Sequence, residues 1–226
     1  LDGKSVAAAS LLPPDLVPLL GLESRFGLTL RLTPGKSLAL EKGDLQGAGY
    51  HLLGSGRLNL QSQELSSDFT LAVKDLKVLE SLAGTPLAGG LSLQGKVGGI
   101  LPHPQGQLAV DVQKLLVQKL QVEHVKTDLH FEPLDRQAAG FSGVRLTGSG
   151  QAEKLNLLQE KKLPETSLGW SLDVSLPPQG KIAIRRFEIQ GNQHLLKAVG
   201  DFDPAALEGL VDVNLQVKDL RLITAF

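Results

Sequence analysis

The chain has 226 residues, 23 Lys and Arg against 24 Asp and Glu, and neither cysteine nor methionine. A net charge of −1 removes the electrostatic argument for nucleic acid or an anionic membrane surface as partner. The absence of cysteine excludes a disulfide framework and CxxC zinc or redox sites. An apolar fraction of 42% suffices for a core and excludes a disordered chain. Leucine supplies 47 residues, glycine 25, and Phe, Trp and Tyr together only 9, so the apolar surface is almost wholly flexible aliphatic. With no methionine and no signal peptide at its start, the chain reads as a piece of a longer protein.

Taken in chain order, 14–20 reads as one or two helical turns. The run 25–32 then alternates strictly, with Phe26, Leu28, Leu30 and Leu32 on one side and Arg25, Gly27, Thr29 and Arg31 on the other. Such alternation is the mark of a strand with one apolar and one wet face. Thr33-Pro34-Gly35 supplies a turn, and Leu38, Leu40, Leu58 and Leu60 follow on the same apolar side. The glycine clusters at 47–56 and 148–151 read as turns or bulges where strands bend, since neither completes GxGxxG.

Strand 68–74 turns Phe69, Leu71 and Val73 inward. Next, 75–83 reads as a short helix, capped by Asp75 and stopped by Gly84 and Pro86. Beyond it come Leu91 and Leu93, then 107–112 with Leu108, Val110 and Val112, and 125–131 with Val125, Leu129 and Phe131. A turn at Glu132-Pro133 precedes Val144 and Leu146. Strand 168–176 carries Trp170, Leu172, Val174 and Leu176, and the turn Pro177-Pro178-Gln179-Gly180 follows. The last apolar positions are Ile182 and Ile184 in 181–184, and Val211, Val213, Leu215 and Val217 in 210–217. One-sided strands of this kind belong to antiparallel sheets. The longest stretch without Asp, Glu, Lys or Arg, 81–95, contains four glycines and a proline, so no membrane-spanning helix is expected.

The chain repeats itself. Shifted by 144 residues without a gap, Phe26 meets Trp170, Leu28 meets Leu172, Leu30 meets Val174, Leu40 meets Ile184, Leu45 meets Ile189 and Gly56 meets Gly200. LAVKDLKVL at 71–79 overlays LQVKDLRLI at 215–223. A period this long fits a group of about eight to ten strands. The division expected is 1–24 as a lead-in or the end of a preceding repeat, 25–168 as a first multi-strand repeat, and 169–226 as the start of a second. Ten strands side by side extend roughly 50 Å, so the object is a ribbon.

Residues with chemical potential are few. His124, Lys126, Asp128 and His130 share one face of a strand, but Lys126 between them and a solvated outer face favour no metal. No GxSxG, HExxH, SxxK or His/Cys pair is present, so neither a catalytic residue nor a cofactor is assigned and the chain is expected not to be an enzyme. An exposed aliphatic face must be covered by another sheet, by helices or by a ligand. Helices are nearly absent, and a dry sandwich and an open groove share one sequence signature.

The run 79–131, with its leucine, glycine and proline-leucine opening at 82–89, the strand into Gly98-Gly99 and the turn at 102–104, resembles the translocation-and-assembly-module B (TamB) family of the AsmA-like group. The resemblance implies an all-β, elongated antiparallel sheet curled into a U-shaped groove with one or two short helices, in the periplasm of a Gram-negative bacterium. It implies phospholipid acyl chains carried along the groove between inner and outer membrane, with the apolar residues named above as its lining. It also implies an inner-membrane anchor outside this segment and a TamA-type outer-membrane barrel partner of the parent chain. Two alternatives stand beside it: a chaperone-like scaffold for outer-membrane protein or autotransporter assembly, and a carbohydrate-binding or adhesive all-β module.

Overall fold

A computed structural model describes residues 2–5, 24–47, 49–157 and 167–218. The expected helical turns at 14–20 lie outside these. Thirteen strands follow in order: β1 (Asp2–Ser5), β2 (Ser24–Thr33), β3 (Ser37–Gln46), β4 (Tyr50–Asn59), β5 (Glu64–Val73), β6 (Leu87–Ile100) and β7 (His103–Val117). They continue through β8 (Leu120–Pro133), β9 (Val144–Leu157), β10 (Ser167–Leu176), β11 (Ile182–Gln190), β12 (His194–Asp203) and β13 (Glu208–Val217). Each strand pairs with its sequence neighbours in one sheet of order β1 to β13, and all pairs are antiparallel. The sheet does not close into a barrel, because β1 and β13 are not partners. Twelve inter-strand steps of about 4.8 Å give an extent of roughly 58 Å.

The sheet is an open surface. The accessible area is 14849 Å², whereas a compact monomer of 24.1 kDa exposes about 10,000 Å². Six apolar residues are buried among those described, and they do not form one central core.

Irregularities in the pairing recur at a fixed spacing. The β2–β3 register shifts between Thr29 and Leu30, and the β10–β11 register between Asp173 and Val174. The β3–β4 register shifts between Leu40 and Gly43, and the β11–β12 register between Ile184 and Phe187. Each pair of shifts is separated by the same 144 residues as the sequence repeat, and eight strands separate β2 from β10. The inserted residues at 41–42 and 185–186 are Glu-Lys and Arg-Arg, which keep the extra side chains off the apolar side.

Strands β6 to β9 are 14 or 15 residues long, against 9 or 10 in the other strands from β2 to β13. A transverse crease crosses all four. Gly89 (φ 121°), Lys114 (φ 52°) and Lys154 (φ 53°) adopt left-handed backbone there, and Glu123 lies between the two lysines on β8. Only glycine fits the first position, since a Cβ on Gly89 would strike the carbonyls of Gln113 and Lys114. Beyond the crease, Leu115, Val122 and Leu155 are ladder partners.

The short helix expected at 75–83 is a 3₁₀ turn, Leu76–Leu79, running into a single helical turn α1, Glu80–Ala83. The Asp75 carboxylate accepts the Lys77 N–H at 3.0 Å, and Gly84 (φ 64°) closes the end. This connection folds onto the apolar side and makes the main buried cluster, Tyr50, Val73 and Leu76, with Leu45, Leu71, Leu87, Leu91 and Leu115 against it. Leu76→Ala is expected to cost about 2–4 kcal/mol in urea unfolding. Leu215→Ala, at a position 60% exposed, should cost under about 0.5 kcal/mol.

Candidate functional site

Ladder partners project to the same face of a sheet, so the register assigns every strand side chain to a face. One ladder runs through Phe26, Leu45, Leu52, Leu71, Leu93, Val110, Thr127, Gly150, Trp170, Ile189, Leu196 and Leu215, one residue from each strand β2 to β13. The next ladder runs from Leu28 to Val213 through Phe69, Leu108, Leu129, Leu172 and Phe187, and its other members are Gly43, Gly54, Gly95, Gly148 and Ala198. A third runs from Leu30 to Val211 through Leu40, Val97, Phe131, Leu146, Val174 and Ile184, with Ser67 its single polar member. The Ser67 hydroxyl donates to the Ser55 carbonyl at 3.1 Å. Three adjacent apolar ladders thus cross twelve strands with only Thr127 and Ser67 polar.

The remaining expected lining residues extend this face toward the strand ends. Leu32, Leu38 and Leu58 form one further ladder. Val73, Leu91, Val112 and Val125 form another with Tyr50 and Ala152. Val144 pairs with Leu176, Ile182 with Phe202, and Val217 with His194. Leu60 is the exception: it lies in the β4–β5 turn, where its N–H meets the Lys36 carbonyl. Leu45, Leu52, Phe187, Ile189 and Leu196 belong to the same face but were not in the expected lining. The 144-residue repeat equates Leu45 with Ile189 and Leu52 with Leu196, and that is the signal that could have found them.

Two expectations about turns need correcting. Gly47 and Gly49 stand in the β3–β4 turn, and Gly54 and Gly56 sit opposite the β3 bulge at 41–42, as expected. Gly148 and Gly150, however, are not turns or bulges but regular mid-strand residues of β9. Large neighbours lie across Gly148 and Gly150: the Trp170 ring occupies the space a Cβ would need on Gly150, and Leu129 the space on Gly148. Phe69 does the same over Gly95, and Phe131 over Gly106. The rings lie against bare backbone, which keeps the face low. Likewise Pro133 is the last residue of β8, paired with Val144, and the turn lies at 134–143.

The opposite face is polar and knit by ion pairs. Arg145 donates to both Asp173 carboxylate oxygens at 2.9 and 2.7 Å, Arg31 meets Glu41 at 2.8 Å, and Lys197 meets Glu188 at 3.1 Å. A shallow depression of ≈ 800 Å³ on this face is bordered by Lys42, Ser55, Asp68, Lys96, Asp128 and His130. Its charges are of mixed sign, and Lys96 pairs with Asp68 across it at 3.6 Å. His124 Nε2 lies 2.9 Å from Asp111 Oδ2, and His51 Nε2 is 2.9 Å from Asp44 Oδ1. The described residues hold no cluster of three possible metal ligands.

Hydrogen bonds from Arg145, His51 and His124 hold the carboxyls of Asp173, Asp44 and Asp111 below the usual carboxylate range. A carboxyl depressed in the folded state contributes stability that is complete above its unfolded value, about pH 4, and is lost as pH falls through the folded value. Urea midpoints should therefore be level from pH 7 to 5 and fall below pH 4. Asp173→Asn should lower the neutral midpoint and make the acid fall shallower.

The two rows of turns differ in character. In the row joining β2–β3, β4–β5, β6–β7, β8–β9 and β12–β13, large apolar side chains stand exposed: Leu32, Leu60, Ile100, Phe141 and Leu207. The opposite row, near the crease, carries Lys74, Lys77, Lys114, Lys119 and Lys154. Among the described residues no helix is long and apolar enough to cross a membrane. Comparison with protein-family models, curated proteins and solved structures finds no match for this chain.

Proposed function

We propose that this chain is a non-enzymatic lipid-transfer segment, TamB-like and periplasmic, that carries phospholipid acyl chains along its apolar face between inner and outer membrane. The observation that supports this reading is the run of three apolar ladders over β2 to β13, polar only at Thr127 and Ser67, with no second layer among the described residues beyond the short helical connection beside Leu45 and Leu71. Eleven inter-strand steps make each ladder about 53 Å long. That is more than three times the roughly 15 Å hydrocarbon depth of one leaflet. Transfer from water to such a surface is worth about 0.8 kcal/mol per buried methylene, so a chain can be held without a polar anchor. The ladders run across the strands, so a guest chain can slide from one strand to the next and meet equivalent aliphatic groups. The inner-membrane anchor and the TamA-type outer-membrane partner belong, on this reading, to the parent chain.

A second reading, a scaffold for outer-membrane protein assembly, is favoured by one feature. The outer edge of β13 pairs with no described strand, and Leu210, Val213 and Leu215 on that strand are exposed. An extended guest strand could add there by backbone hydrogen bonding.

Native mass spectrometry of the purified chain should find co-purifying phospholipid. Asp or Arg at Leu71, Val174, Leu30 or Leu215 should abolish it with strand content unchanged by circular dichroism, since a charge among acyl chains costs several kcal/mol. The same changes at Thr29 or Asp212, on the polar face, should be silent. Unfolding of all four inward variants would instead mark the face as a dry core and overturn the conduit reading.

A further inference from the structure

Several cationic side chains on the polar face have carboxylate partners: Lys42 pairs with Asp44, Lys96 with Asp68, and Lys197 with Glu188, while Lys126 and Arg57 stand singly with no ion pair among the described residues. Near the crease, lysines without such a partner gather. Lys74 follows β5, Lys77 lies in the 3₁₀ turn, Lys119 in the β7–β8 turn, and Lys114 and Lys154 on β7 and β9. All five are exposed, and none has an ion-pair partner among the described residues. The carboxylates nearby are partly engaged. Asp75 accepts the Lys77 N–H, and Glu80 accepts the Leu87 N–H at 3.1 Å, leaving Glu123 and Glu153 on the same stretch.

Lys114 and Lys154 carry a second signal. Their left-handed backbone suits glycine or asparagine, and a lysine there gives up conformational ease. Both stand at the same level, on either side of β8, so their backbones are about 10 Å apart. The same crease lies directly beyond the apolar ladder of Val73, Leu91, Val112, Val125 and Ala152. At the opposite row of turns, Lys36, Arg136 and Lys181 face Glu64, Asp135, Asp203 and Glu208, a balance that offers anions no net attraction.

Resting on the lipid-conduit reading, we propose that the lysine row at the crease binds the headgroup phosphate of a phospholipid whose acyl chains lie on the adjoining ladders. An ammonium is a compact donor suited to phosphate oxygens. Although Glu123 lies between Lys114 and Lys154 on β8, the five lysines outnumber the carboxylates of Asp75, Glu80, Glu123 and Glu153 and leave the rim positive for a headgroup or a passing series of them. Phosphate recognition at this rim sets the lipid's orientation: chains on the apolar face, headgroup toward the crease.

The test compares phosphatidylglycerol with diacylglycerol of identical chains, each offered to the purified chain and read by native mass spectrometry. The wild type should retain phosphatidylglycerol about tenfold better than diacylglycerol. Lys114→Asn with Lys154→Asn removes the charges while suiting the backbone, so the thermal midpoint should hold or rise. That variant should take up diacylglycerol as before and lose the preference, and Lys114→Arg with Lys154→Arg should keep it. Equal retention of the two lipids by the wild type, or a preference that survives the asparagine pair, overturns the phosphate site and leaves the conduit standing. Retention of neither lipid by the wild type overturns both.

Discussion

Backbone hydrogen bonding between strands adjacent in sequence is what this molecule depends on. A globular domain of similar mass is held by a closed core, but here the exposed area is about half again as large as compact packing allows, and buried apolar residues are few. Ladder bonds and same-face neighbours carry the load instead. Each strand is hydrogen-bonded only to its neighbours in sequence, so order spreads along the ribbon as in other repeat architectures. The cluster under the helical turn at 76–83 is an anchor at one margin rather than a centre.

That economy has a chemical outcome. Because no second layer is needed to satisfy the backbone, one side of the sheet, apart from the margin under the helical turn at 76–83, is left to the side chains alone among the described residues. Leucine, valine and isoleucine on this side are half-buried by each other, and their methyl groups face outward. Glycines at 95, 106, 148 and 150 leave room for their neighbours, so Phe69, Phe131, Leu129 and Trp170 lie down across glycine rather than standing up. The polar side is the reverse: pairs such as Arg145 with Asp173 tie charged side chains to one another.

Strict alternation made β2, β10 and β13 legible as strands whose apolar residues share one face. The capping signal at Asp75 and the stop at Gly84 gave the one short helical connection. Strands β4, β9 and β12 were harder, because Gly54, Gly56, Gly148, Gly150 and Gly200 occupy inward positions and blank out the hydrophobic pattern there. In β3 and β11 the inserted pairs at 41–42 and 185–186 change the parity, so Leu40 and Gly43, or Ile184 and Phe187, share a face although an odd number of steps separates them. The crease had no sequence signal apart from Gly89, since lysine at a left-handed position looks like any surface lysine. The lysine row was invisible for a related reason: its members come from four connections and strands spread over eighty residues, and only the pairing brings them level.

The paired bulges at 40–43 and 184–187 have a further geometric effect. Each one sharpens the local right-handed coil of its strand, and they return after eight strands, or about 38 Å of ribbon. A surface given the same extra rotation at equal intervals winds like the thread of a screw. The open side is therefore turned a second time at 184–187 in the sense already given at 40–43.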